Sequence, residues 1–528
     1  MFGLIGDANM YHVMDFIHAE EGRFVGTVAE GAAVSMADGF ARVTGKIGVA
    51  SVTHGPGAAN TVNALVEAVK AHSPVLLLTG ETPVKRGHAQ EIDLGNLFLA
   101  SGADYHRVRS ADQLVDDIAI HVAKVASAHR PAVLDVSIAI QLADVDYRPS
   151  RFRIGDSQAV HPDEDTLDAA LGALANSNRP LILAGRGAVE AGAAPALSEL
   201  ADLLGAPLAN TASAKDIFLG HPYDLGTMGT YGFPWAVDIM ARADCVAAFG
   251  AGLHPHTTVD DELLTGRRVI QCDRDPRHLA RYSPVDIPLV GDARVTAESM
   301  VERLRELDSR PSSFRESHLG SGNLMFKQPA GFHDCTTDRS VDMRTAMIEL
   351  ERALPLDKIV VTDAGRFMAV PWRYLHVSDP RYFIQTAAWA SIGLGLGTAL
   401  GASVAEAGRP TVVVAGDGGA MMSMVELVSA VREDLPIVFA ILNDGAYGSE
   451  YAKLAEHGFD PSGSFVDWPD LADVAVALGA RGITVRNSDD LGRMHEVLAE
   501  IQGPVVLDIK CDPHVDHRHL DALVQARV

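Results

Sequence analysis

The sequence has little positive charge, few cysteines and no long apolar run, and each absence excludes a class of protein. The formal net charge of −25 argues against binding to nucleic acid or to anionic membranes. The four cysteines lack CxxC spacing, which is typical of a reducing compartment and offers no zinc site. No run is long enough to span a membrane, and the start lacks a signal peptide's basic segment. We therefore expect a cytoplasmic protein that binds neither nucleic acid nor membranes.

What the chain does have is length and a regular alternation of patterns. Its 528 residues, 47% of them hydrophobic and 21% charged, suffice for three domains, each with its own core. Apolar runs alternate with helical periodicity, which predicts an α/β fold of three doubly wound parallel-sheet domains. We place the domains at residues 1–150, 165–307 and 341–528. Polar stretches at 146–164 and 308–340 predict a linker and a long connector without periodicity.

One segment of the third domain predicts a βαβ unit. Thr411–Ala415 is a β-branched run, Met421–Arg432 has helical apolar periodicity, and Ile437–Leu442 is a second buried-strand run. Parallel strands end at the same edge of their sheet, so Asp417 and Asp444, which follow these strands, should lie side by side.

Glycines surround the first of these acids. Gly416 and Gly418 flank Asp417, and glycine lets backbone N–H groups approach phosphate oxygens closely. The carboxylates suit Mg²⁺ or Ca²⁺, which would bridge to the phosphates. A Gly-Asp-Gly sequence alone is a weak signal and more often marks a tight turn closed by an aspartate.

A second motif lies far away, near the start of the chain. It comprises Glu30 ahead of Ala37-Asp38-Gly39, and then Thr53-His54-Gly55-Pro56-Gly57. With both motifs, the chain resembles thiamine-diphosphate (ThDP) enzymes of the acetolactate synthase and benzoylformate decarboxylase group over nearly its whole length. The start, Met1–Asn9, resembles that family's first strand and loop, so the helix that usually precedes them is missing. Either the chain is short there or its start was assigned late.

The resemblance implies a pyrimidine-binding, a middle and a diphosphate-binding domain. Glu30 would bond the cofactor's pyrimidine ring and promote loss of the thiazolium C2 proton, or else it is simply an acid that favours a helix N-terminus. Ile392 would be the wedge beneath the folded cofactor, or else an ordinary core residue, and the Ala390 carbonyl would receive the 4′-amino group. The implied cofactor-binding residues are Glu30, Pro56, Asn60, Ala390, Ile392, Gly416, Asp417, Gly418, Gly419, Asp444 and Tyr447.

The implied ligands of Mg²⁺ are Asp417, the Asp444 side chain and the Ala446 backbone carbonyl. Many relatives carry asparagine where this chain has Asp444, so the site gains a second carboxylate, a stronger ligand for a hard cation than an amide. The neighbouring Asn443 leaves the assignment ambiguous.

Four further residues are candidates on the substrate side. His54 could act as an acid near the reactive carbon or anchor its loop, and Gln90 matches the glutamine of acetolactate synthase relatives. Either His254 or His256 could face the pocket, as in benzoylformate decarboxylases, or lie in a surface loop. The chain lacks the Arg-Phe-Asp-Asp-Arg run of flavin-dependent relatives at this point, which argues against FAD.

These features predict a ThDP- and Mg²⁺-dependent lyase or transferase that decarboxylates a 2-oxo acid and ligates the resulting enamine to an aldehyde or a second 2-oxo acid. His54 favours a simple decarboxylase instead, whereas Gln90 favours carboligation. The motifs also fit a 2-hydroxyacyl-CoA lyase or oxalyl-CoA decarboxylase, and a non-catalytic paralogue that serves as a partner subunit. The resemblance implies at least a homodimer and favours a tetramer, with the cofactor between the first domain of one subunit and the third of another.

Overall fold

The computed structural model describes residues 1–19, 21–81, 88–152, 158–307, 310–319 and 332–515. They form three six-stranded parallel sheets with helices between the strands, in the orders β2-β1-β3-β4-β6-β5, β12-β11-β10-β7-β8-β9 and β14-β13-β15-β16-β18-β17, where the strands are numbered along the chain. The prediction of an α/β fold with three doubly wound parallel sheets is confirmed. Within the described residues no helix is long and apolar enough to cross a membrane.

The first sheet is formed by residues near the start of the chain. Its strands are β1 (Phe2–Gly3), β2 (Val25–Gly26), β3 (Gly48–Val52), β4 (Val75–Thr79), β5 (Asp104–Arg107) and β6 (Ala132–Asp135). The helices are α1 (Met10–His18), α2 (Glu30–Thr44), α3 (Pro56–Ala59), α4 (Val62–Lys70), α5 (Leu94–Ser101), α6 (Leu114–Ala128) and α7 (Ile138–Gln141).

The strands of the second sheet include runs of consecutive apolar residues, because side chains on both faces of the sheet are buried. Its strands are β7 (Pro180–Ala184), β8 (Leu208–Asn210), β9 (Asp224–Thr227), β10 (Cys245–Phe249), β11 (Arg268–Asp273) and β12 (Ile287–Val290). In β7, Leu181 and Leu183 pack into one apolar core and Ile182 and Ala184 into another, because successive side chains point to opposite faces. The helices are α8 (Glu164–Ala175), α9 (Arg186–Glu190), α10 (Ala194–Leu204), α11 (Pro234–Met240), α12 (Pro255–Thr258), α13 (Ala293–Glu306) and α14 (Phe314–Leu319).

The third sheet contains the predicted βαβ unit. Its strands are β13 (Ile359–Thr362), β14 (Phe383–Gln385), β15 (Thr411–Gly416), β16 (Ile437–Asn443), β17 (Arg481–Val485) and β18 (Val505–Lys510). β15 and β16 pair in parallel, as the sequence predicts. The helices of this part of the chain are α15 (Met343–Ala353), α16 (Ala369–Tyr374), α17 (Gly395–Ala405), α18 (Asp417–Ser423), α19 (Leu427–Arg432), α20 (Gly448–Glu456), α21 (Leu471–Ala477) and α22 (Ser488–Leu498), of which α16 belongs to the compact unit of the second sheet.

Short 3₁₀ helices complete the described secondary structure, and one of them corrects a prediction. They span Ala111–Gln113, Ala212–Ala214, Pro276–His278, Arg366–Met368, Pro380–Tyr382, Met424–Glu426 and Ser462–Ser464. The single helix predicted over Met421–Arg432 is wrong, because the 3₁₀ turn at Met424–Glu426 separates α18 from α19 and places Glu426 in the interior. The connector predicted without periodicity contains α14, which is too short to show a period and buries Phe314.

The chain divides into two compact units. Unit 1 contains the first and third sheets, and unit 2 contains the second sheet together with the segment Met368–Phe383. Within unit 2 that segment is held by aromatic contacts, since the Trp372 ring lies 4.5 Å from that of Tyr231. The domain boundaries proposed from the sequence stay a prediction.

Candidate active site

Glu30 begins α2, directly after an extended residue that follows β2. Its Oε2 accepts a hydrogen bond of 3.1 Å from Nδ2 of Asn60. Asn60 ends the short helix α3, which Pro56 begins after β3. Three residues of the predicted cofactor set thus stand together where β2 and β3 end, the edge at which parallel sheets bind ligands.

The turn before α3 contacts one of the substrate-side candidates, Gln90. Gly55 has a φ of +58°, and a Cβ there would lie 2.7 Å from the main-chain oxygen of Gln90. Glycine is required at this position by both the left-handed backbone and the close approach. Gln90 and the predicted cofactor turn are therefore in contact.

His54 precedes this turn and is buried completely. Among the described residues neither ring nitrogen has a hydrogen-bond partner, and Nδ1 lies 3.8 Å from Oδ1 of Asp7. Its ring centroid is 5.7 Å from that of His88. A ring in this position does not offer a nitrogen at the surface, and its catalytic role stays a prediction.

The two predicted metal acids follow adjacent parallel strands. Asp417 is the first residue of α18, after β15, and Asp444 follows β16. Asp417 Oδ1 accepts from the Gly418 N–H at 2.8 Å, whereas Oδ2 is buried without a hydrogen-bond partner among the described residues. Burial and the charge of Asp444 raise the pKa of Asp417 to about 6. A divalent cation would bind that oxygen and offset the repulsion, so this donor pair fits Mg²⁺.

The hydrogen bonds of Asn443 and Asp444 indicate which of the two side chains is the better candidate for the second metal ligand. The Asn443 amide donates to Asp508 Oδ1 at 2.8 Å, inside the sheet, and so faces another carboxylate. Asp444 Oδ1 accepts from the Ala446 N–H at 3.2 Å, within the loop that also carries Tyr447. This favours Asp444 over Asn443 as the second metal ligand. The described part of the chain contains no group of three or more His, Cys, Asp or Glu suited to a metal.

Arg366, which the motifs did not predict, lies against Asp444. Its Nη2 donates to Asp444 Oδ2 at 2.6 Å, and its Nη1 donates to the Pro513 carbonyl at 3.0 Å. Burial raises the pKa of Asp444, and the Arg366 guanidinium opposes that shift. The second carboxylate therefore has a counter-ion in the protein itself.

Asp363 was also missed, and it joins two predicted cofactor segments. Its Oδ2 accepts from the Gly393 N–H at 2.8 Å, next to the half-buried Ile392, and a Cβ on Gly419 would lie 2.7 Å from the same oxygen. Burial raises the pKa of Asp363 to about 6. A signal existed, because Asp363 follows the apolar strand β13 and precedes Gly365, the strand-end pattern that drew attention to Asp417.

The remaining two candidates lie in unit 2. His254 and His256 are exposed, and their ring centroids are 5.4 Å apart. His254 packs against the Tyr282 ring at 5.1 Å and His256 against the Tyr231 ring at 5.6 Å. Their catalytic roles stay predictions.

The sequence matches the models of a known protein family in three separate regions. Models of thiamine pyrophosphate enzymes match residues 1–97 (N-terminal TPP binding domain), 167–300 (central domain) and 363–509 (C-terminal TPP binding domain). The chain belongs to this family and is a ThDP-dependent enzyme that acts on carbon–carbon bonds.

Individual relatives span nearly the whole chain. It is 30% identical to a sulfoacetaldehyde acetyltransferase from Castellaniella defragrans, over 93% of this chain and 86% of that one. It is 26% identical to an acetolactate synthase from Arthrospira platensis, over 97% and 91% of the two chains. A Mycobacterium smegmatis protein described as a thiamin diphosphate-dependent enzyme has the same fold, with a TM-score of 0.79, 23% identity and coverage of 97% and 96%.

Proposed function

We propose that this enzyme decarboxylates a 2-oxo acid and joins the remaining acyl carbon to a second carbonyl compound, as an acetolactate synthase does. The observation that carries the proposal is the contact between Gln90 and the turn at Gly55, beside the buried His54. The contact is made by the main-chain oxygen and the Cβ of Gln90, and its neutral side-chain amide would orient an acceptor by hydrogen bonding without supplying a proton to it. The burial of His54 supports carboligation over simple decarboxylation, because a ring without an exposed nitrogen is poorly placed to give a proton to a substrate.

The residues of unit 1 then have distinct tasks. Mg²⁺ would be held by the side chains of Asp417 and Asp444 and by the Ala446 carbonyl, which leaves the metal free to bind the cofactor's diphosphate. ThDP, when bound, would supply the nucleophilic carbon for addition to a substrate carbonyl. Glu30, oriented by Asn60, would hold the proton at the pyrimidine ring nitrogen.

Acyl transfer from sulfoacetaldehyde is a second candidate. It is favoured by the sulfoacetaldehyde acetyltransferase of Castellaniella defragrans, which is more similar to this chain than the acetolactate synthase of Arthrospira platensis is. Both candidates need the same cofactor and the same Glu30.

We further propose a homodimer, which could pair again into a tetramer. Met422, Val425 and Val428 have exposed fractions of 61%, 47% and 41%, at a spacing that places them on one side of the α18–α19 region. We call these three residues the α18–α19 face. Contiguous apolar surface of this kind is typical of subunit interfaces.

The first experiment measures CO₂ release by the purified protein with ThDP and Mg²⁺ from pyruvate, branched 2-oxo acids and benzoylformate, alongside consumption of sulfoacetaldehyde. We expect CO₂ release from one 2-oxo acid together with a ligated product. Glu30→Gln should abolish turnover, and Glu302→Gln, at an exposed acid of α13, should not change it. Aldehyde as the sole product, or sulfoacetaldehyde consumption without CO₂ release, would overturn the carboligase proposal.

A further inference from the structure

Two buried glutamates outside the predicted site make matching contacts within unit 1. Glu426, in the 3₁₀ turn before α19, accepts through Oε1 from the N–H groups of Val28 at 3.0 Å and Ala29 at 2.7 Å. Glu67, on α4, accepts from the N–H groups of Ala388 at 3.3 Å and Trp389 at 2.6 Å. Each carboxylate thus binds two successive backbone N–H groups that lie more than 300 residues away.

The segments that these glutamates hold carry predicted cofactor residues. Ala29 immediately precedes Glu30, and Trp389 immediately precedes Ala390. Glu426 lies in the part of the chain that forms the third sheet, and it binds a segment of the part that forms the first sheet. Glu67 lies in the part that forms the first sheet, and it binds a segment of the part that forms the third. The two contacts are therefore reciprocal.

Burial and charge make both contacts strong. Glu67 is 2% exposed and Glu426 is 1% exposed, and ionised acceptors form shorter and stronger hydrogen bonds than neutral ones. Loss of either carboxylate would leave two backbone N–H groups without their acceptor.

Neighbouring side chains hold each carboxylate in place. Ser429 donates to Glu426 Oε2 at 3.0 Å, and Arg42 donates to Glu67 Oε1 at 3.1 Å. Arg42 also donates to the Gln385 carbonyl at 2.7 Å, which adds an anchor at the end of β14, where the loop that carries Trp389 begins.

That loop needs external support because its backbone is strained. Ala390 has a φ of +61°, in the left-handed region that non-glycine residues rarely adopt. Such a conformation is strained and persists only where surrounding contacts impose it. The hydrogen bonds that the Ala388 and Trp389 N–H groups donate to Glu67 are contacts of this kind.

We propose that Glu67 and Glu426 are positioning residues: within each chain they form a reciprocal clamp that fixes the segment before Glu30 and the segment before Ala390. Where the cofactor lies between subunits, as the family resemblance implies, the two segments of one chain belong to two different cofactor sites, and each glutamate positions one of them. The inference rests on the proposed cofactor-binding roles of Glu30, Ala390 and Ile392. Neither glutamate needs to touch the cofactor. Glu426 fixes the start of α2, and therefore the Glu30 carboxylate, while Glu67 fixes the turn whose carbonyl would receive the 4′-amino group.

The first test uses the cofactor-free protein and amide hydrogen exchange. Glu426→Ala should speed exchange in peptides that contain Val28 and Ala29, and Glu67→Ala should do so in peptides that contain Ala388 and Trp389. Because the clamp joins two segments, each variant should also loosen the segment that the other glutamate holds. Increased exchange confined to the directly bonded peptides would contradict reciprocity.

The second test measures exchange of the cofactor's C2 proton for deuterium at saturating ThDP and Mg²⁺, without substrate. Each alanine variant should slow this exchange about 10- to 100-fold, the loss expected when a group is displaced by about 1 Å. Glu426→Gln should restore most of the rate, because one amide oxygen can accept from both Val28 and Ala29 while Ser429 accepts from the amide nitrogen. No substrate is involved, so failure of the proposed carboligation would leave this result intact.

Asp244 provides a matched control in unit 2. It accepts from the successive N–H groups of Asn178 at 3.2 Å and Arg179 at 2.9 Å, which carry no predicted cofactor residue. Asp244→Ala should lower the melting temperature without slowing C2 exchange. The glutamate variants could instead behave like Asp244→Ala, with a lower melting temperature and exchange of the cofactor's C2 proton at the wild-type rate. In that case the contacts are merely structural and the clamp is refuted.

Discussion

Arg366 offsets the charge that Asp444 adds to the proposed metal site. Two carboxylates in a buried site repel each other, and the effect is visible in the raised pKa of Asp417. The Arg366 side chain is 11% exposed and lies 2.6 Å from an Asp444 side chain that is 8% exposed. A guanidinium this close can balance one carboxylate until a divalent cation binds.

Replacing Arg366 by methionine should therefore destabilise the metal-free protein more than the metal-bound one. Removing one partner of a buried pair typically costs about 3–5 kcal/mol, because the other charge stays buried. Thermal unfolding with and without Mg²⁺ should show a lower melting temperature without metal and a larger rise on addition of Mg²⁺ than in the wild type.

Arg23→Met is the control for this prediction. Arg23 pairs with Glu433 at 3.4 Å but is 57% exposed, so it should contribute at most about 1 kcal/mol. A decrease in melting temperature that Mg²⁺ does not reverse would show that Arg366 acts through packing and not through charge.

The raised pKa of Asp417 predicts a pH dependence of metal binding. Burial and the neighbouring Asp444 charge place this pKa near 6, and a carboxylate must lose its proton to bind a metal. Mg²⁺ affinity should therefore be constant well above pH 6 and fall up to about tenfold for each pH unit below it. Calorimetric titration from about pH 5 to about pH 8 measures this profile.

Asp444→Asn separates the two causes of that shift. It removes the like charge, so the midpoint of the affinity profile should move to lower pH, even though affinity at high pH decreases with the loss of a carboxylate ligand. An unchanged midpoint would show that burial alone sets the pKa of Asp417.

Residues of this site differ in how far the sequence could predict them. Asp417 and Asp444 follow two predicted strands of one βαβ unit, and Glu30 and Asn60 stand in short motifs that resemble those of the family. Glu426, like Glu67, binds backbone N–H groups of a distant segment. Every residue except proline has such a group, so no side-chain pattern marks the partner.

At the scale of elements, α2 and α17 pack with their backbones in close approach. A Cβ on Gly39 of α2 would lie 2.0 Å from the Thr398 carbonyl oxygen, and one on Gly401 of α17 would lie 1.8 Å from the Met36 carbonyl oxygen. Both distances are far below van der Waals contact. The two helices can approach this closely only because these positions lack side chains.

Gly401→Ala should consequently separate the two helices and destabilise unit 1 by several kcal/mol, a cost typical of forced backbone shifts in a packed core. Gly172→Ala in α8 is the matched control, because a Cβ there meets nothing within 4 Å. That variant should gain up to about 1 kcal/mol from helix propensity. Chemical unfolding of both variants tests the pair, and equal effects would contradict the packing argument.

At the scale of the whole molecule, three parallel sheets could be predicted because each has strands buried on both faces, which gives continuous apolar runs. The sequence did not reveal that Met368–Phe383 belongs to unit 2. That segment is fixed by tertiary contacts, such as the Val377 N–H donating to Asp216 at 2.9 Å, and these leave no periodic pattern.

The proposed homodimer makes a prediction at this scale. Val425, in the centre of the α18–α19 face, lies next to Glu426, which holds the segment before Glu30. If two copies join through this face, Val425→Asp should place a charge in an apolar interface and yield monomers, because an unpaired buried charge costs several kcal/mol.

Sedimentation velocity would measure the oligomeric state of Val425→Asp beside that of Val290→Asp, a 38% exposed valine of unit 2. We expect monomers only for the first variant. We also expect those monomers to bind ThDP weakly, because the family resemblance places the cofactor between the first domain of one subunit and the third of another. Monomers that bind ThDP with the wild-type dissociation constant would show that Glu30 and Asp417 of one chain can form the site alone. A dimeric Val425→Asp variant would instead exclude the α18–α19 face from the interface.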